Sequence, residues 1–486
     1  VVKRASKKGW TKGLDLLLRG GTLLFCLVCL TSAQTATRLN LRFADIPASF
    51  HEWLREQGIQ AGNFEQWLDQ QTRETVERER RGEFEHLIYY ALQSNRFTSL
   101  PKIEPALSAR VFAQSLSATD RDRWLAAPGG LAPALTQLPK PVAERLREFS
   151  RVLQQATTDE RLRYFQQFTR QQEPVAAKWP ALLAGEYVAT MRFLYRKEVA
   201  QPDASAAQVA ALYQSRGHST DTQIEANFAV SEMLAMLQSG QPKLKLNHVL
   251  IVGPGLDFAP RTDLLDLFGP QSYQPFAVAD ALLRLGLADE QRLRIHCVDI
   301  NNRVIDHLQR ISQSKALQLA LLSGVADSPA LPLSDDFKTY FTRFGQAIGL
   351  SGPLAAPAEF GKRLSKRLTV RPELLAKISA DKLNIITERY EPSPAYDLIV
   401  VTNVFPYFSD VELLSGLTNL GKMLAEQGCL VHNEPRVTAP LVSRPLDLPV
   451  LSSRTFLLAA PRRQGVAAPL YDFAGLHQRT ITNTKN

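Results

Sequence analysis

Two glycines flank a proline in Gly253-Pro254-Gly255, directly after the apolar run Val249-Leu250-Ile251-Val252. A second apolar run, 295–298, ends in Asp299, and a third, 398–401, ends in Thr402-Asn403. Short apolar runs that stop at glycine and then at an acid describe an open α/β sheet whose strand ends face a nucleotide-like ligand. The chemistry follows from the residue types. Glycine lets the backbone approach a ligand closely, and a carboxylate accepts hydrogen bonds from both hydroxyls of a ribose. The interval from Gly253 to Asp299 is longer than the ~20 residues of a dinucleotide fingerprint.

The elements that must position these residues alternate between strand and helix from Leu246 onward. Strands are expected at 249–252, 294–298, 383–386, 398–401 and 428–433, and helices at 276–285, 302–322 and 410–424. Residues 323–380 read as an irregular insertion, and 454–459 with 470–473 as a closing antiparallel pair. The chain before this region, 37–240, reads as helical, with aromatic and apolar residues at helical spacing in Phe50-His51-Glu52-Trp53-Leu54 and Phe64-Glu65-Gln66-Trp67-Leu68. The mixed-charge run 73–85 reads as the solvated face of a long helix. Ser239-Gly240-Gln241-Pro242 marks a domain boundary. Just before it, Thr222 and Glu225 have capping-box spacing. A second reading of the same segment sets Arg216, His218 and Asp221 on a loop near the ligand cleft.

The region 246–480 resembles class I S-adenosylmethionine-dependent methyltransferases, and within them the chemotaxis-receptor methyltransferase branch. The resemblance is carried by Val249-Leu-Ile-Val-Gly-Pro-Gly255, by His296-Cys-Val-Asp-Ile-Asn301, by Tyr273-Gln-Pro-Phe-Ala-Val-Ala-Asp-Ala-Leu282 and by Thr402-Asn-Val-Phe-Pro-Tyr-Phe408. It implies an α/β fold, a Rossmann-like methyltransferase domain (246–486) preceded by an all-α domain (37–240). It also implies S-adenosylmethionine as cofactor, with Gly253 and Gly255 under its methionine part. Asp299 would take the ribose, Ile300 would flank the adenine, and Asn403 and Val404 would lie by the sulfonium. Asn403 and Tyr407 are the implied catalytic positions, with Tyr407 lining the acceptor pocket. The chain departs from the family pattern in three places. Asp257 and Phe258 stand at the third glycine, Tyr273-Gln274 replaces an acidic pair, and the adenine-contacting acid falls on Glu388.

Composition bounds the rest. The 486 residues carry a net charge of +9. Six basic residues against Asp15 in 1–33 account for much of it, so no nucleic-acid partner is expected. That same segment has the basic, apolar and small-residue order of a signal peptide or membrane anchor. It predicts an exported or membrane-anchored protein, with membrane association through the N-terminus, or a cytoplasmic one if the segment is not a working signal. The two cysteines beyond it, Cys297 and Cys429, read as buried thiols, and histidine spacing offers no metal site. The expected function is a methyltransferase whose acceptor is unknown. The alternative is an exported, catalytically inactive methyltransferase fold that binds a ligand or a protein.

Overall fold

The computed structural model describes residues 37–126, 138–200, 206–258, 264–355, 360–391, 395–461 and 468–480. The signal-like segment 1–33 lies outside them. Seven strands form the central sheet: β1 (His248–Val252), β2 (Arg294–Asp299), β3 (Ile378–Lys382), β4 (Tyr396–Val401), β5 (Leu424–His432), β6 (Val450–Ala459) and β7 (Leu470–Gln478). Their spatial order is β3-β2-β1-β4-β5-β7-β6. The first five run parallel, and β7 is antiparallel to both β5 and β6. This is the strand order of a class I methyltransferase-like fold.

The apolar runs that announced these strands exist because the sheet is buried on both faces. Alternate side chains of one strand enter opposite cores. Val249 and Ile251 join the core with helices Phe228–Gly240 and Gln274–Arg284, as do Leu398 and Val400. Leu250, Val252, Ile399 and Val401 join the core on the other face, against helix Asp410–Met423. Cys297 and Cys429 are buried free thiols within strands β2 and β5.

Three local expectations give way. The third strand is Ile378–Lys382, and 383–386 forms the loop after it. This edge strand buries only Ile378 and Ala380, so its apolar signal is weaker than that of the buried loop behind it. The helix after Asp299 ends at Ser312, and Leu317–Leu322 is a strand. It pairs with Ser365–Val370, which also pairs with Gly349–Gly352 in a three-stranded antiparallel sheet. Pairing with the alternating Lys366, Leu368 and Val370 overrides the helical propensity of its leucines. Thr222 and Glu225 form no capping box. Thr222 sits on the two-residue strand Asp221–Thr222, paired with Asp257–Phe258, and the helix starts at Phe228. The Glu225 carboxylate instead accepts the Val325 N–H at 3.2 Å.

The N-terminal region is helical over most of 64–195, but it opens with a strand. Thr37–Asn40 pairs antiparallel with Glu388–Glu391. The 30-residue helix Phe64–Gln93 joins two cores. Phe64 and Leu68 pack in the sheet's second core, and Phe84 to Leu92 pack among helices Pro105–Ser115, Lys140–Val152, Glu160–Gln172 and Trp179–Tyr195. Its charged middle is a solvated face only in part, at Arg73, Glu74 and Glu77. Arg78, Glu83, Glu85 and His86 are buried, because each meets a partner from another element. Among the described residues no helix is long and apolar enough to cross a membrane.

At its centre this helix crosses the loop 216–220 at backbone contact distance. A β-carbon on Gly82 would overlap the His218 carbonyl, and one on Gly217 would overlap the Gly82 backbone. Gly82→Ala is therefore expected to destabilise the protein by about 1–3 kcal/mol through overpacking. Gly185, in the open on helix Trp179–Tyr195, is the control: Gly185→Ala is expected to stabilise by about 0.5–1 kcal/mol. Urea unfolding of the two variants measures both.

Candidate functional site

A cavity of about 1110 Å³ opens at the carboxyl ends of β1, β2 and β4, where open α/β sheets hold their ligands. Gly253, Gly255, Asp299, Ile300, Asn403, Val404 and Tyr407 all line it. Arg216, His218 and Asp221 line it too, so the cleft-facing reading of their segment describes where they stand.

The glycine turn has φ of +67° at Gly253 and +73° at Gly255, a conformation that favours glycine. The protein's own packing also demands these glycines. A β-carbon on Gly253 would lie 2.6 Å from Val404 Cγ2, and one on Gly255 would lie 2.8 Å from Thr222 Cβ. The turn is thus closed over by Val404 and by the segment 220–222.

Asp299 ends β2 and is buried. Its Oδ1 accepts the Asn301 N–H at 2.8 Å. Asn301 caps the next helix through the Arg303 N–H and donates from Nδ2 to Glu83 Oε1 at 2.5 Å. Glu83 also accepts from the Tyr164 hydroxyl at 2.7 Å and from Arg303 at 3.2 Å. Burial opposes ionisation of Glu83, but Arg303 and His86, with the hydrogen bonds from Tyr164 and Asn301, together hold the carboxyl below its ordinary range. The cation near Asp299, Lys382, acts on it only weakly. Burial pushes its carboxyl up to about 7, and Glu83 adds to the shift while the Asn301 and Ile300 amides oppose it. Glu79, on the cavity wall from the long helix, is also pushed up to about 7 by burial, with Lys382 opposing and with Glu83 and Asp299 adding.

The opposite wall is aromatic and cationic. Arg216 places Nε and Nη2 each 2.8 Å from Glu85 Oε2 and stacks over Phe193, 4.5 Å from the ring centroid. Its Nη1 donates to the Tyr407 hydroxyl at 3.4 Å. Burial pushes the Tyr407 hydroxyl up to about 12, so it stays protonated and serves as a wall. Arg78 donates to the Tyr407 carbonyl at 2.7 Å and to the Arg216 carbonyl at 3.2 Å, with Glu412 at 3.7 Å. His86 Nε2 lies 3.0 Å from Asp221 Oδ1. Asn403 adopts a left-handed φ of 58° at the rim. Its N–H donates to Asn433 Oδ1 and its Oδ1 accepts from Asn433 Nδ2, both at 2.8 Å, so its side-chain oxygen is already engaged.

Asn384 and Glu79 are among the cavity residues that escaped the sequence reading. Asn384 follows the true third strand, donates to Thr75 Oγ1 at 3.2 Å and lines the cavity. Glu388 does not line it; that residue lies in the strand paired with Thr37–Asn40, opposite Asn40. The misplacement follows from setting the strand five residues late. Glu79 was hidden in the charge run. Among the described residues, no group of three or more His, Cys, Asp or Glu is arranged to hold a metal ion.

No family model matches the chain, and no curated protein does. Solved structures are similar to about half of it. One is the N-methyltransferase NodS from Bradyrhizobium japonicum WM9, at 12% identity over 52% of this chain and 94% of that one, TM-score 0.26. Another is the magnesium protoporphyrin IX methyltransferase ChlM from Synechocystis PCC 6803, at 7% identity over 59% and 89%, TM-score 0.27. A third is a TehB-like SAM-dependent methyltransferase from Corynebacterium glutamicum, at 11% identity over 51% and 87%, TM-score 0.25. The strand order and the direction of β7 define the methyltransferase-like fold independently of these likenesses.

Asp299 and Glu79 have carboxyls raised above their unfolded values. Their contribution to stability is therefore full below about pH 4 and is lost as pH rises through about 7. Relative to Glu79→Gln, the wild type is expected to lose stability between about pH 4 and pH 7. Urea unfolding midpoints at stepped pH check this; parallel curves would remove the buried-carboxylate account.

Proposed function

We propose that this protein binds S-adenosylmethionine in the cavity and transfers its methyl group to an acceptor held on the aromatic wall. The observation that carries this reading is convergence. Residues from the ends of β1, β2, β3 and β4 meet on one cavity of a methyltransferase-ordered sheet.

The residues present suit the cofactor's chemistry. Asp299, as a carboxylate, accepts hydrogen bonds from the ribose hydroxyls. Ile300 and Leu383 flank the adenine with apolar surface, and Asn384 supplies an amide at its edge. Gly253 and Gly255 form the turn after β1 that lines the cavity, beside which the methionine part would lie. Gln274 Oε1 and Asn227 Oδ1 are buried without a partner among the described residues, and both residues line the cavity, which leaves acceptors for an ammonium group. Bound there, S-adenosylmethionine supplies an electrophilic methyl group. The protein's part is then to orient the acceptor in line with it and to exclude water.

Calorimetric titration with S-adenosylhomocysteine tests the reading. Micromolar binding is expected, weakened at least about tenfold by Asp299→Ala through loss of a charge-assisted hydrogen bond. Affinity in the wild type should fall as pH drops below about 7, because protonated Asp299 loses acceptor capacity. A well-folded protein that shows no binding would overturn the proposal.

A further inference from the structure

His432 and His477 meet behind the rim of the cavity. His432 ends β5, His477 lies on the antiparallel β7, and both are buried. Their ring centroids are 4.9 Å apart and their Nε2 atoms 2.8 Å apart. Gly475, opposite His432 across the ladder, makes the room: a β-carbon there would stand 2.9 Å from His432 Cε1.

The other nitrogen of each ring has a partner whose role is fixed. The Glu434 N–H can only donate, and it points to His432 Nδ1 at 3.0 Å. The Leu448 carbonyl can only accept, and it faces His477 Nδ1 at 2.9 Å. His432 Nδ1 is therefore bare and the ring proton sits on Nε2, whereas His477 carries its proton on Nδ1 and offers a bare Nε2. The short contact between the two Nε2 atoms is then a donor meeting an acceptor. A proton added to either ring would set two donors face to face, so both rings are neutral. Burial acts in the same direction, lowering His477 and bringing His432 down to about 3.

This chain begins on a segment that borders the cavity. Beyond His432 the main chain leaves the sheet, and 434–438 line the cavity. The segment in turn holds the loop after β4. Asn433 exchanges two hydrogen bonds of 2.8 Å with Asn403. Arg436 donates to the Phe405 carbonyl at 2.6 Å and to the Phe408 carbonyl at 2.7 Å, and Thr438 donates to Asp410 at 3.1 Å. Asn403, Val404 and Tyr407 stand on that loop and line the cavity.

We infer that His432 and His477 are positioning residues for the cavity rim. A one-way chain of hydrogen bonds runs from the Glu434 N–H through two neutral imidazoles of opposite tautomer to the Leu448 carbonyl. It ties 433–438, and through it the loop 403–410, to β7. The role of β7 is thus more than closing the sheet. The inference goes beyond the methyl-transfer reading and holds for any ligand of the cavity.

Two measurements test it, neither of which involves S-adenosylmethionine, so failure of the methyl-transfer reading would leave it standing. The first is the nitrogen shifts of ¹⁵N-histidine-labelled protein near neutral pH, assigned through His432→Asn and His477→Asn. His432 should be protonated on Nε2 alone and His477 on Nδ1 alone. The same tautomer in both rings, or a charged ring, would overturn the chain. The second is hydrogen exchange at the Glu434 and Arg436 amides. It should speed up about tenfold in His432→Ala, which removes the acceptor for the Glu434 N–H. His432→Asn keeps an acceptor oxygen near the place of Nδ1, so exchange should stay within about threefold of the wild type. The Leu250 amide, in the middle of β1, is the control and should change less than the rim in both variants. Equal acceleration in the two variants would mean that the bulk of the ring holds the rim, and acceleration at Leu250 equal to that at Glu434 would mean a general loss of stability. Either would overturn the positioning role. Should His432→Ala fail to fold, the wild-type nitrogen shifts and the His432→Asn rates still decide.

Discussion

The close crossing of one helix over one loop organises the whole site. Gly82 and Gly217 let helix Phe64–Gln93 press its backbone onto the loop 216–220. From that contact, side chains one to two turns apart reach each part of the cavity. Thr75 receives Asn384 after β3, Glu83 holds Asn301 after β2, Arg78 holds the Tyr407 carbonyl after β4, and Glu85 and His86 face Arg216 and Asp221. A side chain at either glycine would lift the helix and loosen all of these at once.

These tethers are buried charges, and their energetics depend on pairing. Taking an ion out of water is costly, and removing one partner of a buried pair typically costs about 3–5 kcal/mol. Glu83 and Arg303, and Glu85 and Arg216, are such pairs. Glu83, Glu85 and Arg303 lie behind the cavity wall and Arg216 stands on it, and the pairing holds all four in position. Three titratable groups facing the cavity are treated in the opposite way. Burial biases Asp299, Glu79 and His218 toward neutrality, with Glu83 adding to it at both carboxyls and Arg78 and Arg81 at the histidine. Ion pairs fix the wall, and Asp299, Glu79 and His218 stand on it with titrations shifted by burial, as functional groups often do.

The helical region therefore has a part in the site. Glu79 and Thr75 border the half of the cavity shared with Asp299 and Asn384, while Phe193 and Tyr213 form the aromatic half. Both halves combine strand-end residues with residues from before the sheet. The cavity belongs to the junction of helices and sheet.

The strands β1, β2, β4 and β5 were legible in the sequence because burial on both faces leaves a continuous apolar run that needs no partner to be recognised. So were the glycine turn and Asp299, since backbone conformation and strand-end position are local properties. The third strand was not, because an edge strand buries too little to stand out, and Asn384 was lost with it. The strand 317–322 was missed because its leucines favour a helix until a partner strand is present. The charge run 73–85 has a solvated side at Arg73, Glu74 and Glu77, but its buried charges escaped the reading for a deeper reason. A local pattern cannot distinguish charges facing water from charges facing partners, and the partners here lie 218 residues away for Glu83 with Asn301 and 329 residues away for Arg78 with Tyr407. The sequence by itself determined the strands buried on both faces and the residues at the ends of β1, β2 and β4. Only the tertiary structure decided which distant charges meet, and so where the walls of the cavity stand and which histidine is left unpaired in them.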